Sequence, residues 1–277
     1  MSISAADVKA LRDRTGAGMM DCKKALKEAD GDFEQAVEIL RKKGQKVSEK
    51  RSDRETNQGI VVTLLGDDKS KGLALALNCE TDFVARNDDF VEKANQFAQL
   101  AFDNNVASVE ELHELELEGL TVEKHLETLV GKIGEKIEIS GVAILEGAGT
   151  IVEYNHPGDQ LGVIVQFEGE LDDKEAGRDV AMQVAAMNPI GVTRDDVPSD
   201  TVEKELEIAK EQLLSEGKPA EIAEKAAQGK LRRFYEERVL LEQKFVKDGS
   251  LSVRKFLESQ NAPLVKAFVR KAVGDNA

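Results

Sequence analysis

Leu73-Ala74-Leu75-Ala76-Leu77-Asn78-Cys79-Glu80-Thr81-Asp82-Phe83-Val84-Ala85-Arg86 is the stretch on which the fold of this chain turns. Residues 73–77 read as an apolar strand. From Asp88 onward Phe90, Ala94, Phe97, Ala98 and Ala101 recur on one face of a helix. Residues 78–86 are therefore an exposed elbow between strand and helix, the kind of segment that carries binding residues. Phe83 is its anomaly, a large aromatic beside an acid in a chain with 4% aromatics and no Trp. Two readings stand: Phe83 tucks back as a satellite core under the loop, or it is displayed to a partner.

Upstream, residues 60–65 and 72–77 are apolar runs separated by Gly66-Asp67-Asp68-Lys69, a hairpin signal, so the helix packs on a hairpin. A looser copy follows after a helical stretch at 108–133. Residues 149–154 and 161–167 are strand-like around Asn155-His156-Pro157-Gly158-Asp159, and a helix with Ala176, Val180, Val184 and Ala185 ends at Asn188-Pro189. Residues 71–80 align with 161–170 without gaps. Only the first copy carries the extra residues 81–86, which marks them as a working part rather than a structural need.

The N-terminus reads as three short helices. Ser4 with Asp7 caps the first, Thr15-Gly16-Ala17-Gly18 breaks it, and Cys22, Ala25 and Leu26 give the second its apolar side. Asp32 with Gln35 opens the third, which Gly44 is expected to stop. The spacing then predicts a polar extension or linker at 46–58. Within the second copy, 199–229 reads as a charged antiparallel helical hairpin, capped by Asp200 and Glu203, with a stripe of Val202, Leu206, Ala209 and Leu213. A helix over 230–245, a short one after Ser250 and an apolar tail at 264–273, strand or helix, complete an α+β chain. The expected units are a helical domain at 1–45, the linker, a core unit at 59–140 and a second at 141–277, which includes the hairpin and a C-terminal module at 249–277.

The formal charge is -15, from 38 Lys and Arg against 53 Asp and Glu. Tight nucleic-acid binding draws on phosphate neutralisation, so no direct nucleic-acid partner is expected. The basic runs Arg41-Lys42-Lys43 and Lys230-Leu231-Arg232-Arg233 read as solvated helix ends. Cys22 and Cys79 sit in no metal-spaced or redox pair, which predicts a reducing compartment; the N-terminus resembles no secretory signal, and no membrane association is expected. No phosphate-cradling glycine loop, zinc motif or nucleophile elbow occurs, so no cofactor, metal or catalytic residue is expected. His113 and His125 lie on polar helices, and His156 precedes Pro157 in a turn, as a turn residue or a partner contact. Cys79 at an apolar strand end reads as an inert thiol, with a thiol-dependent enzyme as the rival.

Leu11-Arg12 through Thr15-Gly16-Ala17-Gly18-Met19-Met20-Asp21-Cys22-Lys23-Lys24-Ala25-Leu26, and Asn78-Cys79 through Thr81-Asp82-Phe83-Val84-Ala85-Arg86, resemble the two signature motifs of the bacterial elongation factor Ts family. Residues 181–189, 217–219 and 239–248 are similar to later landmarks of that family. Ala76 stands where an acidic residue is common, and Ile139-Ser140-Gly141 where the family often has a basic pair. The resemblance implies a cytoplasmic guanine-nucleotide exchange factor for the GTPase elongation factor Tu. It also implies a ubiquitin-associated-like (UBA-like) N-terminal bundle, a core of two subdomains of antiparallel strands packed with helices, and a projecting coiled-coil hairpin. Thr81, Asp82, Phe83 and Val84 would disturb the partner's Mg²⁺ site, with Arg12, Met19, Met20 and His156 as further contacts. The methionines read equally as burial inside the bundle. A homodimer or a 2:2 complex fits the resemblance, and an adaptor or scaffold built on the N-terminal bundle is a further alternative.

Overall fold

The computed structural model describes residues 3–275. Three helices open the chain, α1 (Ala5–Thr15), α2 (Met19–Glu28) and α3 (Phe33–Arg51). Ser4 Oγ accepts the Asp7 N–H at 3.1 Å while the Asp7 carboxylate accepts the Ser4 N–H at 3.0 Å, a reciprocal cap that fixes where α1 begins. Gly16, at φ +67°, ends it. Val8, Leu11, Cys22, Ala25, Leu26, Ala36 and Val37 form the small core these helices share.

Gly44 does not stop the third helix, which runs on to Arg51 through the first part of the expected linker. The reason is tertiary. After β1 (Gln58–Leu65), β2 (Lys71–Cys79), α4 (Asp82–Ala85), α5 (Asp88–Asn104), α6 (Val109–Glu114) and the short hairpin β3 (Glu116–Leu117) and β4 (Leu120–Thr121) comes α7 (Val122–Ile133). A Cβ at Gly44 would lie 2.8 Å from the Glu127 carbonyl oxygen of α7, and one at Gly131 would lie 2.8 Å from the Gly44 Cα. The two helices thus cross backbone against backbone and fasten the N-terminal bundle to the core. The β3–β4 hairpin also interrupts the helical stretch expected over 108–133.

Next comes β5 (Ile137–Glu146), a strand not anticipated from the sequence, which pairs with β2 from Cys79 to Lys71. It crosses the 140/141 division expected between the core units. The remaining elements are β6 (Ile151–Asn155), β7 (Leu161–Phe167), α8 (Lys174–Met187), α9 (Ser199–Ser215), α10 (Ala220–Arg238), β8 (Lys244–Phe245), β9 (Asp248–Ser252), α11 (Val253–Ser259) and β10 (Val265–Ala272). The apolar tail is therefore a strand, paired antiparallel with β7. No separate helix spans 230–245, because α10 continues unbroken from the hairpin to Arg238. Nor do Asp200 and Glu203 cap α9: Pro198 stands at its N-cap with no side-chain bond. Ala209, Leu213, Ala223 and Ala227 are buried between α9 and α10, and Lys210 pairs with Glu224 at 2.7 Å.

The fold is α+β, with all strand pairing within its sheets antiparallel. The internal repeat is real in the topology. Each copy is a hairpin and a helix, closed by a third strand on the far side of the second, giving the orders β1-β2-β5 and β10-β7-β6. Leu73, Leu75 and Leu77 face α5, where Phe90 and Phe97 are fully buried. The alternate positions Gly72, Ala74 and Ala76 face the second sheet. A Cβ at Gly72 would meet Ile151 Cγ2 at 2.9 Å, and one at the aligned Gly162 would meet Val61 Cγ1 at 2.7 Å. Small residues therefore let the two sheets stack closely, and an acidic side chain at Ala76, 1% exposed, would be buried there. Thr63 Oγ1 donates to Glu153 at 2.6 Å and accepts from Asn155 at 2.9 Å, pinning one sheet on the other. Among the described residues no helix is long and apolar enough to cross a membrane.

Candidate functional site

β2 runs into the elbow because Leu77 and Cys79 are completely buried and Asn78 is nearly so, holding the strand to its last residue. Asn78 Nδ2 donates to the Thr56 carbonyl at 3.2 Å. Then the chain turns. Glu80 Oε1 accepts the Lys136 N–H at 2.6 Å and Arg51 Nη1 at 2.6 Å, which brings the end of α3 against the root of the elbow. Burial acts to raise the pKa of Glu80, but those two donors outweigh it, and the carboxyl titrates below its usual range.

Thr81 begins the one-turn helix α4, its hydroxyl capping the Val84 N–H at 3.5 Å. Glu135 takes the Thr81 N–H at 3.0 Å and the Thr81 hydroxyl at 2.7 Å. Val84 and Ala85 are buried in the core formed by β1, β2 and α5. Phe83, just before them, is 83% exposed, which removes the satellite-core reading. Leaving a Phe side chain in water forgoes about 1.5–3 kcal/mol of burial, so its display is not what stability alone would select. Asp82 lies next to it, paired with Arg86 at 3.1 Å across an exposed surface. Such pairs contribute about 0–1 kcal/mol, and Asp82 is free to take another partner.

A groove of about 650 Å³ runs from Asp82 and Arg86 across the β1 edge to Asn155, Gly158, Asp159 and Gln160. His156 belongs to the turn on its far side, exposed, with Nδ1 hydrogen-bonded to the Tyr154 hydroxyl at 3.0 Å. The elbow and the His156 turn are thus brought to one face. Arg12, Met19 and Met20 are also exposed, at 45% for Met19 and 74% for Met20, so the bundle does not bury its methionines. They lie on α1 and α2, apart from the groove. Glu80 and Glu135, which frame the elbow, are not singled out by the sequence. The one signal for Glu135 is its place directly after Gly134, a left-handed helix end at φ +83°.

The elbow displays an aromatic ring and keeps its one thiol inside. Cys79 is fully buried, and its thiol, pushed up to about 12 by burial with Glu135 adding to it, donates to the Thr81 carbonyl at 3.2 Å. Burial thus keeps the thiol in its protonated, weakly nucleophilic form at neutral pH. Alkylation of the folded chain at neutral pH is therefore expected to proceed no faster than unfolding; rapid labelling of Cys79 in the native state would restore the thiol-enzyme reading. Among the described residues no group of His, Cys, Asp or Glu side chains is placed to hold a metal ion.

A family model described as "Elongation factor TS" matches residues 80–275, from the elbow to just beyond the last strand. Full-length relatives match as well. The chain is 46% identical to "Elongation factor Ts" of Christiangramia forsetii, over 98% of this chain and 99% of that protein. It is 47% identical to "Elongation factor Ts" of Amoebophilus asiaticus, over 99% of this chain and 100% of that one. With "Elongation factor Ts" of Cytophaga hutchinsonii the identity is 48%, over 97% and 98%. Matches of this extent make the chain a member of the elongation factor Ts family.

Proposed function

We propose that this chain, as a translation elongation factor of the Ts family, binds elongation factor Tu in its GDP-bound form and drives GDP release by disturbing the partner's Mg²⁺ and phosphate site. Mg²⁺ demands near-octahedral oxygen ligation and is held partly by the nucleotide's own phosphates, so loosening one ligand or ordered water loosens metal and GDP together. Phe83 supplies apolar bulk, Asp82 perturbs the polar ligand network once it leaves Arg86, and Thr81 and Val84 hold both in place. The observation that carries this reading is the exposure of Phe83, 83%, on a turn whose next two residues are buried. The factor makes no bond of its own and needs no cofactor.

Phe83 does not act alone. Moving a two-state equilibrium from 1:99 to 99:1 takes about 5.5 kcal/mol, whereas one interface hot spot is worth about 2–4. The rest is assigned to a UBA-like bundle at 1–45 through Arg12, Met19 and Met20, whose flexible thioethers suit an adaptable contact, and to the second core unit through His156. The core units are read at 59–140 and 141–277, with β5 (Ile137–Glu146) bridging the division. The α9–α10 pair is read as the projecting coiled-coil hairpin, extended from the expected 199–229 to Arg238. The setting is the cytoplasm, and a homodimer or a 2:2 complex with the GTPase is compatible with it.

The test is release of fluorescent GDP from purified elongation factor Tu with and without this chain. Acceleration that saturates with added chain is expected; a release rate indifferent to it overturns the reading. Linkage adds a condition: GDP must weaken binding of this chain by the factor by which this chain weakens GDP.

A further inference from the structure

We infer that Glu135 is a positioning residue for nucleotide exchange, a carboxylate that sets the presentation of Phe83 by holding Thr81 at two atoms; this rests on the reading of Phe83 proposed above. A four-residue helix such as α4 cannot hold itself, because fixing its dihedrals costs more than its one turn of hydrogen bonds returns. Its geometry has to be imposed from outside. Val84 and Ala85 anchor one side in the core. At the other end, Glu135 accepts the Thr81 N–H at 3.0 Å through Oε2 and the Thr81 hydroxyl at 2.7 Å through Oε1.

The second of these bonds does the directing. With its hydrogen committed to Glu135, the Thr81 hydroxyl turns a lone pair toward the Val84 N–H, the cap that starts the turn carrying Phe83. The Thr81 carbonyl accepts both the Cys79 thiol and the Ala85 N–H, so every polar group of Thr81 is tied within the fold. Glu135 is itself fixed at both flanks. Gly134 closes α7, whose Leu126, Leu129 and Val130 are buried, and Ile137 begins β5 opposite Cys79. The adjoining Lys136 N–H braces Glu80, which also takes Arg51 from α3. The two residues at the root of the elbow are thus held by two consecutive residues of one rigid connection. Charge-assisted hydrogen bonds of this kind are the strong ones, and they fix direction as well as energy.

The test compares wild type, Glu135→Ala, Glu135→Gln, Phe83→Ala and the Glu135→Ala/Phe83→Ala double variant in stopped-flow release of fluorescent GDP from the partner GTPase, titrated to saturation. A positioning role predicts that Glu135→Ala lowers the maximal rate about tenfold, as loss of a charge-assisted bond would, while the half-saturating concentration stays within about threefold. Glu135→Gln, which keeps one acceptor, should recover part of the rate. In the Phe83→Ala background Glu135→Ala should cost nothing further, because there is no ring left to aim. An unchanged maximal rate for both Glu135 variants overturns the inference. So does a loss that persists without Phe83, or one that moves rate and half-saturation together with a lowered melting temperature, since either marks general damage. Failure of the underlying reading looks different: Phe83→Ala alone would then release GDP as fast as wild type.

Discussion

Phe83→Ala is expected to slow factor-stimulated GDP release about a hundredfold at saturating factor, the kinetic equivalent of a hot spot of about 2–4 kcal/mol. The fold should not notice. Phe83 is 83% exposed and packs into none of the hydrophobic clusters, so the variant is expected to melt with the wild type. Binding to the nucleotide-free GTPase should weaken far less than the rate, by at most about tenfold, because the proposed reading assigns the rest of the contact to the bundle and the His156 turn. The ring's distinctive contribution is made where the partner still holds metal and nucleotide. Equilibrium titration against nucleotide-free partner, beside stopped-flow release, separates the two quantities. Equal losses in both would make Phe83 an ordinary anchor rather than a wedge.

Substitution at Gly44 should have a large effect on stability, and its sign is diagnostic. In a solvated helix Gly→Ala stabilises by up to about 1 kcal/mol. Gly44 is helical but buried, and a Cβ there would stand 2.8 Å from the Glu127 carbonyl oxygen and 3.6 Å from the Gly131 Cα. Both are backbone and cannot swing aside. Gly44→Ala is therefore expected to destabilise, and Gly44→Leu to destabilise by about 1–3 kcal/mol or to lever α3 off α7. In the second case the N-terminal bundle is freed from the core, Arg51 is withdrawn from Glu80, and affinity for the partner falls. Thermal melting reads the sign, and limited proteolysis between residues 45 and 58 reads the detachment. A stabilised Gly44→Ala would mean that the helix crossing is loose.

Apart from the cap expected at Asp200 and Glu203, what the sequence disclosed and what it withheld divide along local and non-local lines. The Ser4 cap, the glycine break after α1, the hairpin at Gly66 and the face of Phe90, Ala94 and Phe97 are set by residues within a few positions of one another, and all appear where the pattern put them. Gly44 misleads because a glycine that stops a helix and one that admits a second helix look alike until α7 is in place. The tail at 264–273 stayed undecided because it becomes a strand only through β7, and β5 went unseen although Ile137 and Ile139 alternate as a strand should. At the site, the motif marked Thr81 to Val84 as the candidate residues. Whether Phe83 faced inward or outward was not legible, since that depends on Val84 and Ala85 filling the core and on a carboxylate 54 residues downstream of Thr81. Met19 and Met20 were equally open and are exposed because Cys22, Ala25 and Leu26 already fill the bundle.

The most direct test of the wedge is its dependence on the metal. Stimulated GDP release is measured for wild type and Phe83→Ala over a range of free Mg²⁺, down to full chelation. If Phe83 works by unsettling the metal site, the two proteins differ widely when Mg²⁺ is abundant, and the gap closes as chelation does the same work. A gap that stays constant after the metal is gone would contradict the account.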